Sequence, residues 1–137
     1  MPIREKRRKR ASRATGRRTD KQLVGQRAED IAVEFLRARG VQILERNFRR
    51  RLGELDIVGR DGDTLVIVEV RTRGSDRYGG AAASVDWHKQ QRLIRAAAQL
   101  LQQRPDLAHL RARFDVMVVS GMGASPKVEW LRHAFLT

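Results

Sequence analysis

The chain has 137 residues, 29 Lys+Arg against 16 Asp+Glu, a formal charge of +13 and 41% hydrophobic residues, enough for one core and one domain. Its apolar runs fall far short of the roughly 20 residues of a membrane span, and the absence of cysteine excludes disulfides, thiol nucleophiles and thiolate metal sites, as suits a soluble cytoplasmic protein. Lys and Arg gain affinity by releasing counterions from phosphates, so the excess charge makes nucleic acid the first expected partner.

Met1 to Lys21 holds ten Lys/Arg, with Arg7, Arg8, Lys9 and Arg10 in succession, against Glu5 and Asp20. With almost no apolar residue such a segment cannot offset its ordering entropy, and it reads as a disordered basic arm over residues 1–21, followed by a single domain over 22–137. No apolar stretch follows the arginines, which argues against a secretory or twin-Arg signal. From Gln22 to Arg39, Val24, Ala28, Ile31, Ala32, Phe35 and Leu36 keep helical spacing, and Gly40 is a suitable stop. Val41, Ile43 and, at its far limit, Phe48 suggest a short strand, after which Asn47 to Gly53, with Arg49, Arg50 and Arg51, reads as a basic loop. Glu54 to Arg60 and Thr64 to Arg71 flank Asp61-Gly62 and form a hairpin. Beyond the polar loop Gly74 to Gly80, the segment from Ser84 to Gln103 is a second helix, with Ser84 or Asp86 as N-cap and Pro105 beyond its end. Arg113 to Ser120 is a strand, and Lys127 to Leu131 precedes a terminal helix or strand. The order αβββαββ predicts an α/β fold with a mixed β-sheet flanked by α-helices.

The hairpin brings carboxylates together. With Asp61 and Gly62 at the loop centre, Glu54 falls opposite Glu69 and Asp56 opposite Ile67, which makes Asp56 and Glu69 diagonal neighbours on one face. Two such carboxylates can share a divalent cation, and the period of two adds Arg71 to their face. A loop of three or five residues would change the parity and send Asp56 to the other face. The competing reading makes Glu54, Asp56, Glu69 and Arg71 the solvated side of a half-buried hairpin. Against it, Thr64 to Val68 is apolar on both faces, as in a central strand, so a carboxylate continuing it wants a cation or a hydrogen-bonded partner. Glu29 lies at the edge of the first helix's apolar stripe, within reach of this cluster. Lys89 falls on the core-facing stripe of the second helix, where a lysine snorkels or finds an anion.

Gly25-Gln26-Arg27-Ala28-Glu29, Ile43-Leu44-Glu45-Arg46-Asn47, Gly53-Glu54-Leu55-Asp56, Val68-Glu69-Val70-Arg71 and Arg113-Phe114-Asp115-Val116, in this order, closely resemble the YraN-like family of uncharacterised bacterial proteins. That family is similar to the PD-(D/E)XK endonucleases and the archaeal Holliday-junction resolvases. The resemblance covers nearly everything after Lys21 and implies a restriction-endonuclease-like core. It also implies that Glu29 is the helix-borne acid, Asp56 the strand aspartate, and Glu69 with Arg71 the ends of the E-x-K element. Arg71 stands where the superfamily has lysine; arginine is always protonated and cannot take a proton from water, though it can neutralise a developing phosphorane. Either Arg71 serves electrostatically, or Lys89 supplies the ammonium, or the site binds without cutting.

The leading expectation is therefore a metal-dependent endonuclease. Asp56 and Glu69, with Glu29 through water, would hold Mg²⁺ or Mn²⁺, since the candidate donors are hard oxygens and His88, His109 and His133 share no metal-ligand spacing. The arm and Arg49 to Arg51 would hold the phosphate backbone, with DNA ahead of RNA as the substrate and, from the resolvase likeness, a homodimer as the assembly. The rivals are a nucleic-acid-binding module that has lost catalysis at Arg71, and a basic RNA- or ribosome-associated protein that binds through its arm.

Overall fold

The computed structural model describes residues 19–73 and 85–135. Helix α1 (Asp20–Ala38) starts at a capping box in which Thr19 and Gln22 exchange side-chain-to-backbone hydrogen bonds. It therefore takes in Asp20 and Lys21, which composition alone assigns to the arm; Arg7, Arg8, Lys9 and Arg10 lie outside the described residues. Ala28, Ala32, Val33 and Leu36 recur at helical spacing and form its buried stripe.

Strand β1 (Gln42–Arg50) corrects the expected short strand and basic loop. Arg49 and Arg50 belong to the strand, and only Arg51 and Leu52 make the turn into β2 (Gly53–Asp61). The cause is Phe48, whose ring is buried in the core and anchors the outer half of the strand. Arg50 stacks its guanidinium 3.9 Å from the centre of that ring. Strand β3 (Thr64–Arg73) follows a turn whose central residues are Gly62 and Asp63, with Gly62 at φ 63°, a conformation open to a residue without Cβ.

Helix α2 (Trp87–Gln103) is capped by Asp86, which accepts from the Lys89 backbone N–H; Ser84, the other predicted cap, lies outside the described residues. Strands β4 (Arg111–Ser120) and β5 (Lys127–Leu131) complete the fold, and no helix follows β5 among the described residues. The sheet order is β1-β2-β3-β4-β5, parallel between β3 and β4 and antiparallel elsewhere.

Both faces of the sheet are covered. Leu65 and Ile67 pack with Leu93, Ala97 and Leu100 of α2, whereas Val66 and Val68 pack with Ala32, Val33 and Leu36 of α1. The continuous apolar run of β3 is thus the sequence signature of a strand buried on two sides. The result is the expected restriction-endonuclease-like core, a mixed sheet flanked by helices. Among the described residues no helix is long and apolar enough to cross a membrane.

Gly53 fixes how the β1–β2 turn meets α2, because a Cβ there would stand 2.5 Å from the Arg92 carbonyl oxygen. Gly53→Ala should therefore cost about 1–3 kcal/mol by forcing helix and turn apart. Urea unfolding of the two proteins measures this directly.

Candidate functional site

The β2–β3 ladder runs from Asp61↔Thr64 to Ile57↔Val68 and stops. Beyond that point β2 stays with β1 as far as Gly53, and β3 stays with β4 as far as Arg73, so the sheet forks. A fork leaves backbone donors of β3 without a strand partner, and one of them is met by a side chain: the Val70 N–H donates to Asp56 Oδ2 at 2.9 Å. Asp56 thus sits at the fork.

The turn lies one residue later than a loop centred on Asp61-Gly62 requires, so the pairings shift, and extending the ladder sets Asp56 opposite Glu69 rather than Ile67. Leu55 and Val58 both pack under α2 while Ile57 packs under α1, so strict alternation breaks at Asp56. Nearby on β1, Asn47 adopts φ 53°. Asp56 lines a cleft of about 740 Å³ beneath α1, together with Gln22, Gln26, Glu29, Arg46 and Asn47. Glu69 continues the α2-facing set of β3, and its Oε1 lies 3.2 Å from Lys89 Nζ. Lys89 has found an anion, one of the two outcomes open to it from sequence.

The two carboxylates still act on each other. Burial pushes the Asp56 carboxyl up to about 7, the Glu69 charge adds to the rise, and Glu29 and Glu54 contribute less. The Val70 N–H opposes the shift without cancelling it. Glu29, 8% exposed, is raised first by its own burial. It is held by Asn47 Nδ2 at 2.9 Å and Arg46 Nε at 3.3 Å, and Arg46 also reaches Asp30 at 2.6 Å.

Arg71 is half-buried on β3. Arg49 pairs with Glu54 at 3.5 Å, and Arg50 donates to Gln103 at 2.6 Å. Sequence reasoning missed Arg46 and Asn47 as the partners of Glu29. An asparagine between charged residues of a strand was the available signal, since Asn tolerates the left-handed conformation better than most residues. It also missed Asp115, which is 2% exposed and accepts from Arg113, the Trp130 indole N–H at 2.8 Å and the His133 backbone at 3.0 Å.

Among the described residues no cluster of three or more His, Asp or Glu forms a ready-made metal cage. Magnesium does not need one: it keeps several waters and is commonly bound through one or two carboxylates plus substrate phosphates. Asp56 and Glu69 offer hard oxygens of that kind, and the raised Asp56 carboxyl marks an acid cluster that a cation would relieve. The residues fit such an ion.

The profile described as Uncharacterised protein family UPF0102 matches residues 28–119, a span that includes Glu29, Asp56, Glu69, Arg71 and Lys89. A UPF0102 protein of Methylococcus capsulatus is 47% identical over 112 residues, covering 82% of this chain and 89% of its own. One from Pseudomonas entomophila is 48% identical, covering 81% and 91%, and one from Pseudomonas savastanoi pv. phaseolicola is 43% identical, covering 86% and 97%.

Proposed function

The chain belongs to the uncharacterised protein family UPF0102, and we propose that it is a divalent-cation-dependent endonuclease acting on phosphodiester bonds, with DNA ahead of RNA as its substrate. The observation that carries this reading is Asp56, a carboxyl raised to about 7 beside Glu69 and Glu29 at the fork of the sheet. A fold does not ordinarily keep acids together at such cost without a cation to share. Asp56 and Glu69 would hold Mg²⁺ or Mn²⁺, with Glu29 through water. When bound, the ion polarises a phosphate oxygen and acidifies a water.

The chain's own groups supply the rest. Lys89, fixed by Glu69 at 3.2 Å, keeps an ammonium at the site. Arg71, permanently protonated, adds charge that stabilises a developing phosphorane but takes up no proton. Arg49 to Arg51 and the basic arm hold the backbone without reading sequence.

A second reading has its own support. Lys89 already neutralises Glu69, and the Val70 N–H already occupies Asp56, as in a module that binds nucleic acid without cutting it. Incubation with branched, flapped and single-stranded DNA in Mg²⁺ or Mn²⁺ separates the two. A nuclease should cut at least one of them, and Asp56→Ala should slow the cutting by roughly a hundredfold or more, the scale of losing a key charge-stabilising group. Cutting that survives Asp56→Ala unchanged, or binding with no cutting under any condition, would remove the endonuclease assignment.

A further inference from the structure

On the α2 side of β2 lies a second cleft, of about 250 Å³, lined by Arg49, Arg50, Arg51, Glu54, Lys89 and Arg92 among others. We propose that it is a phosphate-binding subsite, distinct from the carboxylate site, that takes a backbone or terminal phosphate of the same polynucleotide. This rests on the nucleic-acid reading above and narrows the ligand from any phosphate ester to a polymer that spans two clefts.

The charge balance points to an anion. Five cations line the cleft against one lining carboxylate, Glu54, which is engaged by Arg49. Lys89 is held by Glu69 from the neighbouring site, and Arg50 is committed to Gln103 and the Phe48 ring. Arg51 and Arg92 make no ion pair among the described residues, although the Arg92 charge does reach Asp86, the cap of α2. Two guanidinium groups left without carboxylates beside three other cations repel one another, and a tetrahedral oxyanion is the ligand that their forked donors match.

The cleft is also held in shape. Arg51 comes from the β1–β2 turn and Arg92 from α2, and the backbone at Gly53 lies so close to the Arg92 carbonyl that a single methyl group would not fit between them. Turn and helix are thus locked in register, which fixes the backbone positions from which the Arg51 and Arg92 side chains extend. The cleft adjoins the carboxylate cleft, because Arg49 and Glu54 line both. A chain with one phosphate at Asp56 can continue past Glu54 and set another between Arg51 and Arg92.

The test uses the full chain carrying Asp56→Asn, in EDTA, so that binding is read with cleavage switched off. Affinities for a fluorescein-labelled single-stranded 12-mer, with and without a 5′-phosphate, are compared between this protein and the same protein with Arg51→Gln and Arg92→Gln. The charge-matched control is Arg111→Gln with a second exposed site, Arg37→Gln, both remote in the fold from the cleft; thermal midpoints confirm that each variant folds. The cleft double variant should bind roughly tenfold or more weakly at about 0.1 M salt, with the slope of log affinity against log salt shallower by about 1.4, two single-strand phosphate contacts' worth. An equal loss on both oligonucleotides identifies a backbone phosphate, and a loss confined to the 5′-phosphorylated one identifies a terminal phosphate; either supports the subsite. Losses and slopes no greater than those of the control variant overturn it. Cleavage by the wild-type chain is scored separately, so the subsite and the endonuclease reading can fail independently.

Discussion

Asp56→Asn should make the protein more stable than its parent at pH 8 in the absence of divalent cations. The folded-state carboxyl titrates near 7 against an ordinary value of 3.8, so between those pH values the folded chain binds more protons than the unfolded one. Stability associated with the protonated acid is present below pH 4 and is lost as the pH rises through about 7. A shift of this size corresponds to at most about 4 kcal/mol. Asparagine resembles the protonated acid and can still accept from the Val70 N–H, so its stability should vary less over the same interval. Urea unfolding in EDTA at pH 4, 6 and 8 gives the two curves. The gap in favour of Asp56→Asn should widen with pH, and parallel curves would show that the acid cluster does not strain the fold. Millimolar Mn²⁺ at pH 8 should raise the parent's unfolding midpoint and leave that of Asp56→Asn almost unmoved, by mass action on the folded state alone.

The largest loss of stability is expected at the other end of the sheet. Asp115→Ala removes the acceptor for the Arg113 guanidinium, which it binds through both carboxylate oxygens, for the Trp130 indole and for the His133 backbone. The Arg113 side chain is only 13% exposed, so water cannot replace what is lost. Leaving a buried charge and two further donors unpaired should cost about 3–5 kcal/mol, a large share of the roughly 5–15 kcal/mol of a typical domain. Asp115→Asn keeps one oxygen and should cost less. Hydrogen exchange should locate the loosening at β5 and residues 131–135, which Asp115 ties to β4 through Trp130 and His133. A variant with wild-type protection there would show that the polar cluster is incidental.

The layers of the fold are legible in the sequence because they rest on periodicity. The helical stripe of α1 and the doubly apolar run of β3 each announce which side must be covered, and the hairpin turn betrays itself through Asp-Gly. Pairing is harder, because placing the turn one residue late moves each partner along the strand without disturbing the hydrophobic pattern. Nothing in local composition reports that β2 and β3 separate after Ile57 and Val68, since a fork depends on which neighbour each strand prefers. The arginines of β1 read as loop because their outward charge masks a strand anchored by one buried ring, Phe48. Glu29, Asp56, Glu69 and Lys89 stand out as residues out of keeping with their surroundings. Their partners do not: Asn47 depends on a left-handed backbone, and Arg92 on the approach of a helix to a turn far away in the chain.

Strand β1 lies at a border of the sheet, where bare N–H and C=O groups could recruit a second chain by simple zippering. Its sequence obstructs that route: Glu45, Arg46, Arg49 and Arg50 crowd the strand with charge, and the left-handed Asn47 interrupts its regular pleat. Concentrated samples should accordingly resist fibrous self-association along this border. A two-copy assembly, if formed, would have to meet through other surfaces.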